Sequence, residues 1–258
     1  MTTPQYTSNE LMAVTAAKRL ENGQNIVVGL GLPQVAALLA KSSHAPDLNI
    51  IYEVGVINPD PLDSDPGVGI ADPRLWYRND AFTGYIGAMG EILQKGLVDV
   101  GFLGALQIDR YGNLNSSLIK GKDGSARHFT GSGGAADMAA LSKRVFIIMK
   151  HEKRKIIESL DYLTSVGCYK GKNTRVEKGL QKTAGVTVFT NLCVLETGAE
   201  SGELEVKSLH PGVTLDTLKE NTGFDIIIPK DVPATAEPGA EDLEILRKTI
   251  DPNKMYIK

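Results

Sequence analysis

Short, nearly continuous apolar runs alternate along the chain with stretches whose apolar residues recur at three- and four-residue spacing. This is the pattern of buried strands separated by helices. Ser8-Asn9 precede Glu10 to Leu20, which reads as a capped amphipathic helix ending near Asn22-Gly23. A strand over Asn25-Ile26-Val27-Val28-Gly29 leads through Leu30-Gly31-Leu32-Pro33 into a helix from Gln34 to Lys41, and Leu48 to Tyr52 is the second strand. Farther on, Glu91 to Lys95 marks a helix end, Val98 to Leu103 a strand and Gly104 to Asn115 a polar loop. Gly131-Ser132-Gly133-Gly134 opens an alanine-rich helix at Ala135, and Val145 to Met149 is another buried strand. The expected class is α/β, an open, largely parallel sheet with helices on both faces. Residues 1-228 are expected to form one domain and 229-258 a tail packed on it, in which proline and acidic residues precede a short helix from Glu241 to Ile250.

Composition adds mostly exclusions. The 258 residues carry a formal net charge of -3, which gives no general attraction to nucleic acid or to an anionic membrane. The basic run His151-Glu152-Lys153-Arg154-Lys155 reads as a solvated helix face. No apolar stretch approaches the roughly 20 residues of a bilayer span, and Met1 to Tyr6 lack the basic and apolar regions of a signal peptide, so a cytoplasmic location is expected. Cys168 and Cys193 form neither a CxxC pair nor a disulfide framework, and the four scattered histidines suggest no metal site. Spacing alone leaves Cys-His or Ser-His-Asp catalysis open, but no GxSxG elbow supports it, and Cys193 reads as a small buried apolar residue.

Glu53 changes the picture. It ends the run Ile50-Ile51-Tyr52, just before Val54-Gly55, at the carboxyl edge of the second strand, where open α/β sheets place ligands. A carboxylate there is either a strand-end group that reaches solvent or a group with a task. Gly29-Leu30-Gly31 with an acidic residue at the end of the next strand imitates a dinucleotide fingerprint, but position 34, where the third glycine belongs, is Gln34. A tight strand-to-helix turn accounts better for both glycines. Gly131-Ser132-Gly133-Gly134-Ala135 brings unhindered backbone N–H groups to a helix start and can hold an oxyanion. Together with the carboxylate it suggests covalent catalysis on an acyl compound.

Five ordered segments, Gly29 to Pro33, Tyr52 to Gly55, Gly104 to Asn115, Gly131 to Ala135, and Leu209 to Thr214 with Asn221 to Phe224, make the chain resemble the small (β) subunits of class I CoA-transferases. It is similar in particular to those acting on glutaconate and 3-oxoadipate. The resemblance implies that Glu53 is the nucleophile and that Gly133, Gly134 and Ala135 contribute to the oxyanion hole and acyl-CoA binding, with Gly134 the preferred amide donor. The chain departs from the family pattern at Val54, where Ser or Asn is usual. A carboxylate is already ionised at neutral pH and needs no histidine base. The resemblance further implies an α-type partner subunit, coenzyme A and acyl-CoA as substrates, and no permanently bound cofactor. Acyl-CoA hydrolysis or decarboxylation on the same fold, or a non-catalytic CoA-binding role, are the alternatives. Arg74, Arg78, Arg110 and Arg127 are candidates for an acceptor carboxylate.

Overall fold

The protein is described by a computed structural model covering residues 6–60, 69 and 71–258. Met1 to Gln5, on which the expectation about a signal peptide largely rests, lie outside the described residues. The chain divides into two compact units, Met1–Phe102 with Ala236–Lys258, and Leu103–Thr235.

The first unit opens with α1 (Ser8–Ala17). Its cap is Thr7, one residue earlier than Ser8-Asn9 suggest, because this register puts Glu10 at the third helical position of a capping box. Strand β1 (Asn25–Val28) is buried on both faces, and Ile26, Val27 and Val28 are fully shielded from solvent. It feeds through Gly31 into α2 (Leu32–Ser42) and on to β2 (Asn49–Ile51), and β1 and β2 pair in parallel, as expected of a βαβ unit. Gly31 has φ 93° and starts the helix, with Pro33 in its first turn, so the glycine pair serves the strand-to-helix turn. Strand β3 (Val56–Ile57) runs antiparallel to β2, and after α3 (Pro73–Tyr77) strand β4 (Ala81–Phe82) runs antiparallel to β3. A π-helical segment, Ile86–Leu93, precedes β5 (Val100–Leu103), which pairs in parallel with β1. The strand order is therefore β5-β1-β2-β3-β4.

The tail helix, expected from Glu241 to Ile250, is an α-helix over Ala240–Ile245 that continues as a π turn over Leu246–Ile250. It belongs to the first unit, where Arg247 donates from Nε and Nη2 to both oxygens of the buried Glu10 (2.6 and 2.9 Å). That bidentate pair, with the cap, satisfies a carboxylate only 2% exposed and holds it below the usual carboxylate range.

In the second unit, β6 (Gln107–Ile108) and β7 (Leu114–Asn115) form a small hairpin inside the segment expected to be a loop. A second hairpin joins β8 (Leu118–Lys120) to β9 (Ala126–His128). Helix α4 (Ala135–Leu141) leads into β10 (Arg144–Ile148). After the single turn α5 (Thr174–Glu177), β11 (Val186–Phe189) pairs in parallel with β10, and β12 (Cys193–Thr197) and β13 (Leu204–Leu209) add antiparallel strands. Helix α6 (Leu215–Glu220) follows, capped by the Thr214 hydroxyl. The α/β class with an open sheet stands, with parallel pairs next to the crossover helices and antiparallel pairs added beyond them. His151 to Lys155 form a turn rather than a helix face, and His151 is buried.

Candidate active site

Glu53 stands in the tight turn that joins β2 to β3. Tyr52 donates its N–H to Val56 C=O (2.9 Å), and Gly55 donates its N–H to Tyr52 C=O (2.8 Å). The loop is thus the three residues Glu53, Val54 and Gly55, closed by a glycine at φ 98° in the manner of a bulged three-residue hairpin. A second contact fixes it from outside: Thr83 donates its N–H to Gly55 C=O (2.9 Å). A Cβ on Gly55 would lie 2.2 Å from Gly84 N, so both the backbone conformation and the space demand glycine there. Tyr52 is fully buried, Glu53 and Val54 half-buried. The backbone carrying Glu53 is therefore held by main-chain bonds on both strands and by the packed glycine pair. None of these needs a hydrogen-bonding side chain at position 54, which explains how the turn tolerates Val54.

The glycine segment lies in the second unit, so Glu53 and Gly131 to Ala135 belong to different units. Gly131 and Gly133 have φ 85° and 48°, while Gly134, at φ −81° and ψ 0°, is the cap of α4. Ser116 Oγ donates to Gly131 C=O (2.8 Å) and ties the start of the segment to the end of the β6–β7 hairpin. Ala135 N–H is engaged, donating to Ser132 C=O (2.8 Å). Gly133 N–H has no hydrogen-bond partner among the described residues, and Gly133 is exposed. Of the three residues singled out in the sequence, Gly133 is the one whose φ favours glycine, while Gly134 is buried at the start of α4.

The arginine candidates separate. Arg74 pairs with Asp72, Arg78 with Asp60 (2.5 Å each), and Arg110 with Glu158 (2.7 Å) and Glu203 (3.3 Å) while lying over the Phe224 ring. Arg127 stacks 5.1 Å over the Phe129 ring and has no carboxylate partner among the described residues. No group of three or more His, Cys, Asp or Glu among the described residues could hold a metal ion.

A Cys-His pair does come together. His151 Nδ1 lies 3.7 Å from Cys193 Sγ and 3.2 Å from Thr190 Oγ1, all buried. Thr222 Oγ1 donates to Leu218 C=O (2.8 Å), so His151 Nε2, 2.9 Å away, is the donor to that hydroxyl and carries the proton. Burial pushes the thiol up to about 12 and the imidazole down to about 4, so both are neutral and the pair is not an activated nucleophile. His210, held between Thr235 Oγ1 (2.9 Å) and Thr190 C=O (2.6 Å), is likewise shifted down by burial. This is a structural network with an acid liability. A histidine that must stay neutral in the fold contributes stability fully present above its unfolded value, near 6.5, and lost as pH falls towards 4. We expect a loss on the order of 3 kcal/mol over that window from His151. Urea unfolding followed from pH 7.5 to 4.5 checks this, and a flat stability profile would contradict it.

Sequence reasoning missed Ser116 and one further residue, Arg175. Arg175 is 3% exposed and anchors α4 at its far end. A lone arginine among Lys170, Lys172, Lys178 and Lys182 looks like part of a solvated basic surface, and nothing in the pattern distinguishes it.

The chain thus carries a carboxylate on a turn at the end of a parallel strand and, at the exposed Gly133, an amide with no hydrogen-bond partner among the described residues. The family model for coenzyme A transferase matches residues 9–221. The β subunit of the 3-oxoadipate CoA-transferase of Pseudomonas knackmussii is 41% identical, over 94% of this chain and 92% of its own length. The β subunit of the glutaconate CoA-transferase of Acidaminococcus fermentans is 35% identical, over 98% of this chain and 96% of its own. The crystal structure of the Acidaminococcus fermentans glutaconate coenzyme A-transferase superimposes with a TM-score of 0.90 and 32% identity, covering 98% of both chains. The chain belongs to the coenzyme A transferase family.

Proposed function

We propose that this chain is the β subunit of a CoA-transferase that moves CoA between an acyl-CoA and a short dicarboxylate or oxo-dicarboxylate, with Glu53 as the nucleophile. The observation that carries the reading is the placement of Glu53 on a turn whose backbone is fixed by hydrogen bonds and by the Gly55–Gly84 contact. A nucleophile has to be presented at a defined point and angle, and a strand-end turn of this kind supplies that. The substrate class follows the relatives acting on 3-oxoadipate and glutaconate.

In the first step a Glu53 carboxylate oxygen attacks the thioester carbonyl. The C–S bond breaks, and the products are an acyl-glutamyl anhydride and CoA thiolate. The thiolate then attacks the glutamyl carbonyl, releasing the donor acid as its carboxylate and leaving a glutamyl-CoA thioester. The acceptor carboxylate attacks that thioester, and the returning thiolate captures the new acyl group and restores the Glu53 carboxylate. Each addition places negative charge on a carbonyl oxygen, for which the amides of Gly133 and Gly134 are the donors we assign. Ala135 completes the segment as the first helical residue and lends no amide, since its N–H is already bonded. Both covalent intermediates hydrolyse if water reaches them, so the working site has to be closed.

Both relatives are one subunit of a heteromeric enzyme, and an α-type subunit is the partner this reading requires. The test is to co-express the chain with an α-type CoA-transferase subunit and to supply succinyl-CoA, acetyl-CoA or glutaryl-CoA with free 3-oxoadipate or glutaconate. We expect acceptor-dependent formation of the new acyl-CoA in the hetero-oligomer and none with this chain alone. Acyl-CoA consumption that needs no acceptor would favour a hydrolase, and full transfer by the isolated chain would refute the need for a partner.

A further inference from the structure

We propose that Arg175 is a positioning residue for the catalytic glycine segment, acting through α4, with Ser116 as its counterpart at the segment's other end. The inference rests on the reading of Gly133 and Gly134 as oxyanion donors. All five N–H donors of the Arg175 guanidinium meet main-chain carbonyls: Nε donates to Gln181 (2.7 Å), Nη1 to Val166 and Gly167 (2.7 and 2.6 Å), and Nη2 to Ala139 and Ala140 (2.9 and 2.7 Å). No carboxylate among the described residues pairs with it. A buried cation with no anion is a costly way to fill space, and burial lowers its proton affinity. What a guanidinium supplies and an apolar side chain does not is a rigid planar fork.

Two prongs of that fork seize consecutive carbonyls in the last turn of α4, where carbonyls have no partner inside the helix. A cation there is also aligned with the helix dipole. Helix α4 has only seven residues, so its two ends are about 10 Å apart. Fixing the rotation and height of its last turn fixes Gly134 at its first. Ahead of it Ser132 and Gly133 are exposed, Ser132 C=O accepts from Ala135 N–H (2.8 Å), and the side-chain bond to the start of the segment comes from Ser116. The direction of the Gly133 and Gly134 amides is thus set from the two ends, by Ser116 Oγ on Gly131 and by Arg175 on Ala139 and Ala140.

The discriminating variant is Arg175→Lys, which keeps the charge but brings three donors to five carbonyls. It should be studied in the enzyme assembled with its α-type partner. An error of about 1 Å in placing a catalytic group reduces rate on the order of 100-fold. We expect kcat to fall by about that factor, the KM for the donor acyl-CoA to change by less than about 3-fold, and the single-turnover appearance of a Glu53-linked CoA thioester to slow in step with kcat. A residue that serves stability alone would lower the melting temperature and the yield of folded enzyme while leaving kcat per folded site intact, and that outcome overturns the proposal. Should Arg175→Lys not fold, Ser116→Ala carries the test, with loss of kcat at steady KM expected and wild-type kcat overturning the two-ended clamp. A wild-type enzyme that forms no adduct overturns the covalent reading and the clamp with it. A wild-type enzyme that forms one, beside an Arg175→Lys enzyme that forms it equally fast, overturns the clamp alone.

Discussion

Glu53→Gln is expected to abolish transfer, lowering kcat by at least about 10⁴-fold, the scale seen when an enzyme loses its covalent nucleophile. The carboxamide has the shape of the carboxylate but not the anionic oxygen that attacks the thioester. Because Glu53 is half-buried and the main-chain bonds among Tyr52, Gly55, Val56 and Thr83 that hold the turn are kept when it is replaced by an isosteric residue, the variant should fold and assemble as the wild type does. Mass spectrometry of the hetero-oligomer after exposure to a donor acyl-CoA, with no acceptor present, should find CoA in hydroxylamine-sensitive linkage on the wild-type peptide that contains Glu53. The variant should carry none. Full transferase activity in Glu53→Gln would remove Glu53 from the mechanism and with it the covalent route.

The parts of this site that were legible in the sequence are those built from neighbouring residues. The apolar run Ile50-Ile51-Tyr52 broken by Glu53 placed the carboxylate at a strand end, and the structure puts β2 over Asn49–Ile51 with Glu53 two positions beyond. The βαβ unit was legible for the same reason, since its apolar periods and its turn glycines lie in one stretch. What fixes the turn was not legible. Gly55 is pinned by Gly84, 29 residues later, and no local pattern announces that two backbones will approach so closely. The meeting of His151 with Cys193 and of Arg175 with Ala139 depends on how β10, β11 and α4 pack, and sequence separations of 42 and 36 hide it. The β6–β7 hairpin escaped notice because two-residue strands are too short to show an alternation. His151 was misplaced for a different reason: charged neighbours on one side suggested a solvated face, whereas Thr190 and Thr222 meet both ring nitrogens inside the fold.

The glycine segment invites the second large effect. Gly133 has φ 48°, a left-handed conformation that costs a β-branched residue on the order of 1–3 kcal/mol, and its N–H has no partner among the described residues. Gly133→Val should therefore turn the peptide out of its present orientation. Since the residue is exposed and outside α4, the relaxation is local and the fold has no core contact to lose there. If the amide is an oxyanion donor, its misdirection removes about 3 kcal/mol of barrier lowering, equivalent to a fall in kcat of roughly 100-fold or more. The adduct on Glu53 should appear correspondingly slowly while the melting temperature stays within a few degrees of the wild type. Gly134→Val provides the comparison, because φ −81° at that position accepts a side chain and any loss of rate there reports on space at the cap rather than on backbone strain. Near-normal turnover in Gly133→Val would reduce the segment to a connector between β9 and α4, and the stabilising donors would have to be sought elsewhere in the assembled enzyme.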